Sequence, residues 1–406
     1  MRADSSLTSW TLSVTAPISS PFHRLASPCN PVVVGGIIDA QQNQTIPAGG
    51  YTPGGLGRHT VAVGWAIIGA GMHPQQKLAP AIVLTPDAEL IGVLSRDQGR
   101  ADAFAEAHGA KAGYSDLDAL LADSRIDAVF VSSPNAAHVG HTLAAAKAGK
   151  HVLSEKPMAT SVEDAAAMVE ACKSNGVKLG LGFELRFHPA HRVARDLVSQ
   201  DKLGRVRLLQ GHWGRGERKE PEHLPRTGLR DWWEDPEQMG GGSVIMGLGV
   251  HVFDLVRFVM QQEVTEVSAM TDGQTDAQPL EHIATMGLRL EDGTIANISC
   301  GRMLPDTLND FTVYGTDGRF TGHATVWEAR MGDMEVVSET VNKTEAWEYN
   351  YLANFIDEIT DFQDAIKGDR EPAASGIDGL RSTEINSAVI ESAKTGRSVK
   401  IEHKKA

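Results

Sequence analysis

The feature that most constrains the fold is a regular alternation of strands and helices that begins near Val61. A short apolar strand, Val63–Ile68, is followed by Gly69-Ala-Gly71, and helices then alternate with strands as far as Phe183. Strands that alternate with helices at this spacing predict βαβ units and a doubly wound parallel sheet. We therefore expect an α/β chain whose first domain covers residues 61–185.

After about Arg186 the sequence changes to strand-rich stretches with few helices between them. One helix, Ala190–Ser199, precedes six strand-like stretches, and two helices, Tyr351–Lys367 and Ile377–Thr395, close the chain. This pattern predicts an open, largely antiparallel sheet. We expect a second, α+β domain over residues 186–406 that binds substrate and forms the contact between subunits.

Residues 1–60 differ in composition from the rest of the chain. They contain five charged residues, and 26 of the 60 are Ser, Thr, Pro or Gly. Such a segment buries too little apolar surface to offset its chain entropy, and it lacks the basic start and apolar run of a signal peptide. We expect a disordered extension, or a start assigned too far upstream of Val61 or Val63.

The charge balance and the cysteines exclude several classes of protein. Asp and Glu outnumber Lys and Arg by 52 to 38, which gives a formal net charge of −14. This charge disfavours sequence-independent nucleic-acid binding, although a substrate pocket can still be locally basic. The apolar runs are too short to cross a bilayer, and the three cysteines include no C-x-x-C pair. We expect a cytoplasmic protein with a small-molecule substrate and no nucleic-acid, membrane or metal partner.

The turn after the first strand predicts a dinucleotide site. Gly69 allows the tight turn, and Gly71 lets the backbone approach a pyrophosphate, which is attracted by the N-terminus of the helix that begins near Met72. Pro74 stands where such motifs have a third glycine, and proline is acceptable in the first turn of a helix. The alternative is an ordinary strand–helix turn, but the position after the first strand of a βαβ unit favours a cofactor.

The end of the second strand indicates which cofactor is preferred. Sites selective for NAD place an acidic residue there to bind the ribose 2′-hydroxyl, whereas this chain reads Ser95-Arg96 followed by Asp97. A hydroxyl and a guanidinium suit a 2′-phosphate, because arginine forms charge-assisted bonds to phosphate. The pair favours NADP over NAD, the alternative being that Arg96 is a solvated loop residue.

Two further segments carry candidate catalytic residues. The segment Ser154-Glu155-Lys156-Pro157 directly follows a strand, so Lys156 would reach the crevice where open α/β sheets bind ligands. A surface lysine paired with Glu155 is the alternative. A glycine cluster precedes His251 and Asp254, which share one face if the segment is helical. His251 could exchange a proton at neutral pH, as alcohol oxidation requires, or be a core residue bonded to Asp254.

These motifs, in this order, resemble the Gfo/Idh/MocA oxidoreductase family over residues 61–402. The matching segments are Gly69-Ala-Gly71, Ser133-Pro134-Asn135-x-x-His138, Glu155-Lys156-Pro157, Arg186-Phe187-His188-Pro189, the glycine cluster with His251, and the tail from Tyr351 to Gly379. The resemblance implies an N-terminal Rossmann domain that holds a nicotinamide cofactor, NADP or NAD. It also implies a C-terminal sheet that holds a sugar-like substrate and the contact of a homodimer or homotetramer.

For individual residues, the resemblance implies that Lys156 hydrogen-bonds the reacting hydroxyl and the nicotinamide ribose, and that His251 is the general acid/base. The cofactor would contact Gly69, Gly71, Met72, Ser95, Arg96, Ser133, Pro134, Asn135, His138, Glu155 and Lys156. The substrate would contact Arg186, His188, Trp232 and Asp254.

One position departs from the family pattern. The family usually has an aspartate four residues before this histidine, and this chain has Gly247 there, with Met246 before it. That aspartate orients the histidine or helps to bind substrate. Asp254, Glu184 or His188 could compensate for its absence.

The expected function is that of an NAD(P)-dependent oxidoreductase. It would move a hydride between C4 of the nicotinamide and a hydroxyl or keto carbon of a sugar, glycoside, cyclitol or related cyclic diol. Two alternatives are a non-catalytic nucleotide-binding sensor and a redox-neutral lyase or glycosidase that retains its cofactor. A stoichiometric change in nicotinamide absorbance during turnover distinguishes the first function from both others.

Overall fold

The computed structural model describes residues 62–216, 226 and 228–404. The extension expected over residues 1–60 lies outside these described residues. In the part of the chain that is described, no helix is both long enough and apolar enough to cross a membrane.

Six parallel strands form the first sheet, in the order β3-β2-β1-β4-β5-β6. They are β1 (Val63–Ile68), β2 (Ala88–Leu94), β3 (Ala112–Tyr114), β4 (Ala128–Val131), β5 (His151–Ser154) and β6 (Leu179–Leu181). Because β2 and β4 lie on opposite sides of β1, the carboxyl ends of β1 and β4 flank the crevice where such sheets bind ligands. The doubly wound α/β fold predicted from the sequence is confirmed.

Five helices connect the strands of the first sheet. They are α1 (Ala79–Leu84), α2 (Gln98–His108), α3 (Leu117–Leu121), α4 (His138–Lys147) and α5 (Val162–Ser174). The side chains of Asp97, Asp116 and Ser161 accept a hydrogen bond from the first turn of α2, α3 and α5, respectively. These caps satisfy backbone N–H groups that have no partner within the helix, and they fix where each helix begins.

The second sheet has nine strands among the described residues, in the order β14-β13-β12-β11-β7-β10-β9-β8-β15. They are β7 (Val206–Gly214), β8 (Val264–Thr271), β9 (Ile283–Leu290), β10 (Ile295–Gly301), β11 (Phe311–Gly315), β12 (Gly318–His323), β13 (Arg330–Ser338), β14 (Asn342–Asn350) and β15 (Val399–Lys400). Neighbouring strands are antiparallel except β7 and β10, which run parallel. The open, largely antiparallel sheet predicted for the second domain is confirmed.

The sequence analysis misses three strands of this sheet, β12, β14 and the two-residue β15. The first begins and nearly ends with glycine, at Gly318 and Gly322, which weakens the strand signal. In the second, every residue except Trp347 is exposed, so apolar and polar residues do not alternate.

The remaining helices carry site residues into the core. They are α6 (Pro189–Ser199), α7 (Pro236–Met239), α8 (Val250–Met260), α9 (Ala353–Lys367) and α10 (Gly376–Thr395). All residues of α8 are buried, because it packs against α6, α10 and β7. His251 and Asp254 therefore lie inside the protein, where polar groups need partners. From α9, Phe355, Ile359 and Phe362 pack into the apolar cluster beside the first sheet.

Candidate active site

The turn after β1 has the geometry that the glycine pattern predicts. Gly69 has a φ of +119°, which favours glycine, and a Cβ there would lie 2.5 Å from the carbonyl oxygen of Ser132. A Cβ on Gly71 would instead meet only Cδ of Pro74, at 3.9 Å. A helix begins at Met72 and passes through a π-helical segment, Pro74–Leu78, into α1. A phosphate group can therefore approach the backbone at Gly71 and the start of this helix.

The end of β2 presents two arginines. The Oγ of Ser95, a buried residue, accepts hydrogen bonds from the backbone N of Asp97 (3.3 Å) and from Nη1 of Arg100 (3.5 Å). Arg96 is exposed, and its guanidinium has no hydrogen bond or ion pair with the described residues. The sequence analysis identifies Ser95 and Arg96 but misses Arg100. Arg100 could have been identified from its position in the first turn of α2, because that turn places its side chain next to the end of β2.

The loop after β4 is held in place by His138, which is buried. Its two ring nitrogens lie 2.9 Å from the carbonyl oxygens of Ser133 and Pro157, so the ring joins this loop to the loop after β5. Burial lowers the pKa of His138, and the two carbonyl contacts oppose that effect. Nδ2 of Asn135 donates to the carbonyl oxygen of Met239, at 3.4 Å. His138 and Asn135 thus position the loop backbone between Ser133 and Asn135.

Glu155 is buried and anchors the loop that carries Lys156. Its Oε1 lies 2.9 Å from Nε2 of His73, and its Oε2 accepts a hydrogen bond from the backbone N of Lys156 at 3.2 Å. Burial raises the pKa of Glu155, but the neighbouring His73 and Lys156 outweigh burial and bring it down to about 2. The carboxylate is therefore ionised, and it ties the loop to the helix that follows Gly71.

His251 forms a buried pair with Glu184, which lies in a short 3₁₀ turn, Glu184–Phe187. Nδ1 of His251 lies 3.2 Å from Oε2 of Glu184, although the two groups are not oriented for a hydrogen bond. The ring of Trp213 packs on the imidazole, with 4.6 Å between ring centroids. Burial raises the pKa of Glu184 to about 8, and burial and Lys156 lower the pKa of His251 well below its usual value. At neutral pH the carboxyl is therefore mostly protonated and the imidazole is neutral.

Gly247 lies in a second π-helical segment, Ile245–Gly249, directly before α8. A Cβ at this position would lie 3.4 Å from Cζ3 of Trp233, so the indole occupies the side toward which an aspartate would point. Of the three residues expected to compensate for that aspartate, Glu184 is the one in contact with His251. The glycine and the tryptophan thus fit together, and the acidic side chain beside His251 belongs to another segment.

The expectation that Arg186 and Asp254 contact substrate does not agree with their positions. Nε and Nη2 of Arg186 donate to the two carboxylate oxygens of Asp254 at 2.6 and 2.5 Å, and Nη1 donates to the carbonyl oxygen of Ala373 at 2.5 Å. Asp378 lies 2.9 Å from Nη2, and Arg257 is bonded to Asp378 as well. The guanidinium and the Asp254 carboxylate are thus committed to a buried ion cluster. Asp254 also does not hold His251, contrary to the alternative based on their spacing.

His188 is likewise committed within the protein rather than available to substrate. Its Nδ1 accepts a hydrogen bond from the backbone N of Ala190 at the start of α6, and its Nε2 lies 3.0 Å from the carbonyl oxygen of Met331. Burial lowers its pKa to about 4, so the ring is neutral. Trp232 is half-buried and packs on Trp233, with ring centroids 4.9 Å apart.

A charged group that the sequence analysis misses links the two domains. Nζ of Lys77, in the first π-helical segment, lies 3.3 Å from Oε2 of Glu328 and 3.2 Å above the ring of Tyr351. The other oxygen of Glu328 is bonded to Arg215, which follows β7. Burial raises the pKa of Glu328, but Arg215 and Lys77 outweigh it and hold the pKa well below its usual range. Glu328 lies in an irregular segment far along the chain from both partners, so no local pattern indicates this pairing.

Comparisons with known proteins agree with this architecture. The family model described as "Oxidoreductase family, NAD-binding Rossmann fold" matches residues 63–183, and the GFO/IDH/MocA C-terminal domain matches residues 191–321. The 1,5-anhydro-D-fructose reductase of Ensifer adhaerens is 32% identical, covering 83% of this chain and 98% of the relative. The D-xylose 1-dehydrogenase (NADP(+)) 2 of Haloferax volcanii is 28% identical, covering 83% of this chain and 99% of the relative.

Among solved structures, the aldose-aldose oxidoreductase from Caulobacter crescentus, complexed with glycerol, is similar. Its TM-score is 0.74 at 26% identity, covering 84% of this chain and all of that one. The two domain matches together span more than half of the sequence, in the order of the two sheets described above. The chain belongs to the Gfo/Idh/MocA family of oxidoreductases with an NAD-binding Rossmann fold.

Proposed function

We propose that this NAD(P)-dependent oxidoreductase prefers NADP and acts on a hydroxyl or keto carbon of a sugar, glycoside, cyclitol or related cyclic diol. The observation that carries the proposal is the buried pair of His251 and Glu184, which lies close to Lys156. The positive charge of Lys156 opposes the effect of burial on the pKa of Glu184 and adds to the effect of burial on the pKa of His251. The names of the two relatives, a reductase and a dehydrogenase of sugars, support the substrate class.

The glycine turn fits a dinucleotide. Gly69 is in a conformation that favours glycine, and the space in front of Gly71 leaves its backbone accessible to a pyrophosphate. The nicotinamide, when bound, supplies or accepts the hydride. Ser133, Pro134 and Asn135 would border the cofactor from the loop after β4, while His138 and Glu155 act through the loops that they hold.

The protein's part in the chemistry is to hold and move a proton. The Lys156 ammonium would donate a hydrogen bond to the reacting oxygen, which polarises a keto group or stabilises the alkoxide that forms from a hydroxyl. The neutral imidazole of His251 would accept the hydroxyl proton in oxidation, and its imidazolium would return that proton in reduction. When Glu184 is ionised, its carboxylate stabilises this imidazolium through the 3.2 Å contact.

Glu184→Gln is expected to remove a pH-dependent rise in kcat for alcohol oxidation. Glu184 ionises as the pH rises through about 8, and the carboxylate formed then favours protonation of His251 in the transition state. In the unmodified protein kcat should therefore rise through that range. Measurement of kcat from about pH 6 to about pH 10 with saturating substrate checks this.

Glu358→Gln is the matched control for that measurement. Glu358 is also a buried carboxyl, and burial together with the charge of Glu184 raises its pKa well above the usual value, but no contact joins it to His251 in the described structure. The rise in kcat should persist in this variant. A rise that persists in Glu184→Gln, or one that both variants lose, would contradict the assigned role.

The preference for NADP is assigned to the two arginines at the end of β2. Arg96→Ala and Arg100→Ala should each weaken NADP binding about tenfold to a hundredfold, because each removes a charge-assisted bond to the 2′-phosphate worth about 1.5–3 kcal/mol. NAD binding should change little. Titration of both cofactors against each variant checks this, with the exposed Arg125→Ala as control. Equal losses for NADP and NAD, or tighter binding of NAD by the unmodified protein, would count against the preference.

A substrate screen tests the function itself. Sugars, glycosides, cyclitols and cyclic diols are offered with NADP and NAD side by side, and nicotinamide absorbance is followed. Stoichiometric reduction of the cofactor supports the proposal. Turnover without net cofactor change would indicate a redox-neutral lyase or glycosidase, and cofactor binding without any turnover would indicate a sensor.

We also propose a cytoplasmic homodimer or homotetramer that forms through the second sheet. One row of neighbouring side chains crosses its open face, where Ile295, Tyr314 and Val337 are 44%, 37% and 43% exposed. Leu208 and Arg319 complete the row on either side of Tyr314, and exposed apolar residues clustered in this way are typical of a protein–protein contact.

A further inference from the structure

Two arginines lie side by side at the carboxyl ends of the parallel strands β7 and β10. The last pair in register is Gly214 with Gly301, so Arg215 and Arg302 follow at neighbouring positions. The backbone N of Arg215 donates to the carbonyl oxygen of Gly301 at 2.8 Å, which fixes the two residues relative to each other. The sheet register therefore holds two positive charges close together. Because like charges repel each other, this arrangement suggests a binding role.

A third arginine joins this pair over the ring of Trp233. The guanidinium carbons of Arg226 and Arg302 lie 4.2 and 5.2 Å from the centroid of that ring. Cation–π contacts of this kind hold guanidinium groups without neutralising them. We name Arg215, Arg226 and Arg302 the arginine cluster.

Among the described residues, the arginine cluster carries more positive charge than its acidic neighbours offset. Glu328 is shared between Arg215 and Lys77. Glu234 accepts a hydrogen bond from the backbone N of Arg226, and Coulombic attraction links it to both Arg226 and Arg302. The carboxyl of Glu281 accepts bonds from the backbone N of Ser243 and Ile245, and burial raises its pKa.

Within the described parts of the chain, several donors of the arginine cluster are unpaired. Nε of Arg215 and Nη1 of Arg226 are buried and have no hydrogen-bond partner among the described residues. The guanidinium of Arg302 has no ion pair or hydrogen bond within the same part of the structure. Burial and the neighbouring Arg226 lower the pKa of Arg302 to about 9, as expected for a cation that has lost water without gaining a full counter-charge.

The arginine cluster adjoins the proposed reaction centre. Trp213 packs on His251 with 4.6 Å between ring centroids, and the guanidinium carbon of Arg215 lies 5.7 Å from the centroid of Trp213. A substrate whose reacting oxygen lies at His251 could therefore extend along Trp213 toward the arginine cluster. Guanidinium groups bind phosphate and carboxylate oxygens by paired, charge-assisted hydrogen bonds.

We propose that the arginine cluster binds an anionic group of the substrate, so that the enzyme acts on a sugar that carries a phosphate or a carboxylate. This inference rests on the proposed function, because it takes the cleft at His251 as the substrate site. It makes the cleft locally basic in a protein whose formal net charge is −14. The anion completes the hydrogen bonds of half-buried guanidinium groups, and it also orients the sugar ring against the tryptophans.

A binding measurement tests the site without any need for turnover. Inorganic phosphate is titrated calorimetrically into the full-length protein saturated with NADP, so that phosphate sites of the cofactor are filled. The unmodified protein should bind phosphate, and Arg302→Gln should bind it at least tenfold more weakly. Arg207→Gln, which removes an exposed arginine of β7, should bind it unchanged. Absence of phosphate binding, or equal binding by the protein and Arg302→Gln, overturns the proposal.

Turnover then distinguishes the two sources of the anion. An aldohexose, its 6-phosphate and its uronic acid are compared by kcat/KM. A preference of tenfold or more for the phosphate identifies a phosphosugar, and the same preference for the uronic acid identifies a sugar acid. Arg302→Gln should lower kcat/KM for the preferred anion ten- to a hundredfold, mainly through KM, and change the value for the neutral sugar less than threefold. The proposal is overturned if the neutral sugar has the highest kcat/KM, or if Arg302→Gln lowers kcat/KM for the neutral sugar as much as for the anionic one.

Failure of this inference and failure of the proposed function give different results. Turnover of neutral sugars without phosphate binding retains the oxidoreductase function and removes the anion site. Phosphate binding that depends on Arg302, without turnover of any sugar, retains the anion site as a binding property and removes the proposed function.

Discussion

Lys156→Ala and His251→Ala are each expected to lower kcat by about 10² to 10⁴, with a much smaller change in KM. This range is what positioned acid–base help contributes to a reaction. Lys156 lies after the first-domain strand β5 and His251 on α8 of the second domain, so each domain would supply one group to the same oxygen. The measurement is kcat and KM on each variant, with the melting temperature of the same preparation.

The double variant gives the sharper result. Residues that act as one unit are not additive, so Lys156→Ala combined with His251→Ala should be only slightly slower than the slower single variant. If the two losses multiplied, the residues would act at separate steps, and the assignment of both to one oxygen would be wrong.

His191→Ala is the control for loss of a buried imidazole. His191 is as buried as His251, but its Nδ1 lies 2.7 Å from the carbonyl oxygen of Leu185 and its Nε2 lies 3.1 Å from Oγ1 of Thr325. This variant should lower the melting temperature and leave kcat within a few fold. If His251→Ala behaves in the same way, His251 is an ordinary core residue and the proton acceptor must be sought elsewhere.

Local pattern was sufficient to predict the first domain except for the three-residue strand β3, which is too short to show a pattern. The other strands and helices follow one another with short connections and carry their own signals, as Val63–Ile68 does before Gly69 and as Ser161 does at the start of α5. The glycine turn and Ser95 with Arg96 are read from consecutive residues for the same reason. Arg100 was missed because it is not adjacent to Ser95 in sequence and reaches it only through the first turn of α2.

The second domain and the site depended on contacts between distant segments. Glu184 reaches His251 from the end of the first domain, and in the sequence it was one of three candidate partners of that histidine. The motif around Arg186 is compatible with two roles, contact with substrate and pairing with Asp254 and Asp378 inside the protein. The sequence alone does not distinguish these roles. Arg215 and Arg302 become neighbours only through the pairing of β7 with β10.

Arg186→Met is expected to destabilise the fold by about 3–5 kcal/mol, because it leaves buried acidic groups without their cation. Arg186 is 5% exposed and makes a two-pronged contact with Asp254, which is 1% exposed, and it also bonds Asp378. Arg257 offsets only part of the loss, since it lies 3.7 Å from Asp254 and is shared with Glu263. Unfolding in urea, followed at neutral pH, measures the free-energy difference.

The same variant separates a structural role from a substrate role. If Arg186 serves only the ion cluster, the folded fraction of Arg186→Met should keep its KM within a few fold, and adding Asp254→Leu should recover part of the lost stability. Recovery follows because replacement of both partners removes the uncompensated buried charge that the single variant leaves. A large rise in KM with little loss of stability would instead return Arg186 to the substrate pocket. The ion cluster holds the 3₁₀ turn that carries Glu184 against α8, so its stability is also what keeps Glu184 beside His251.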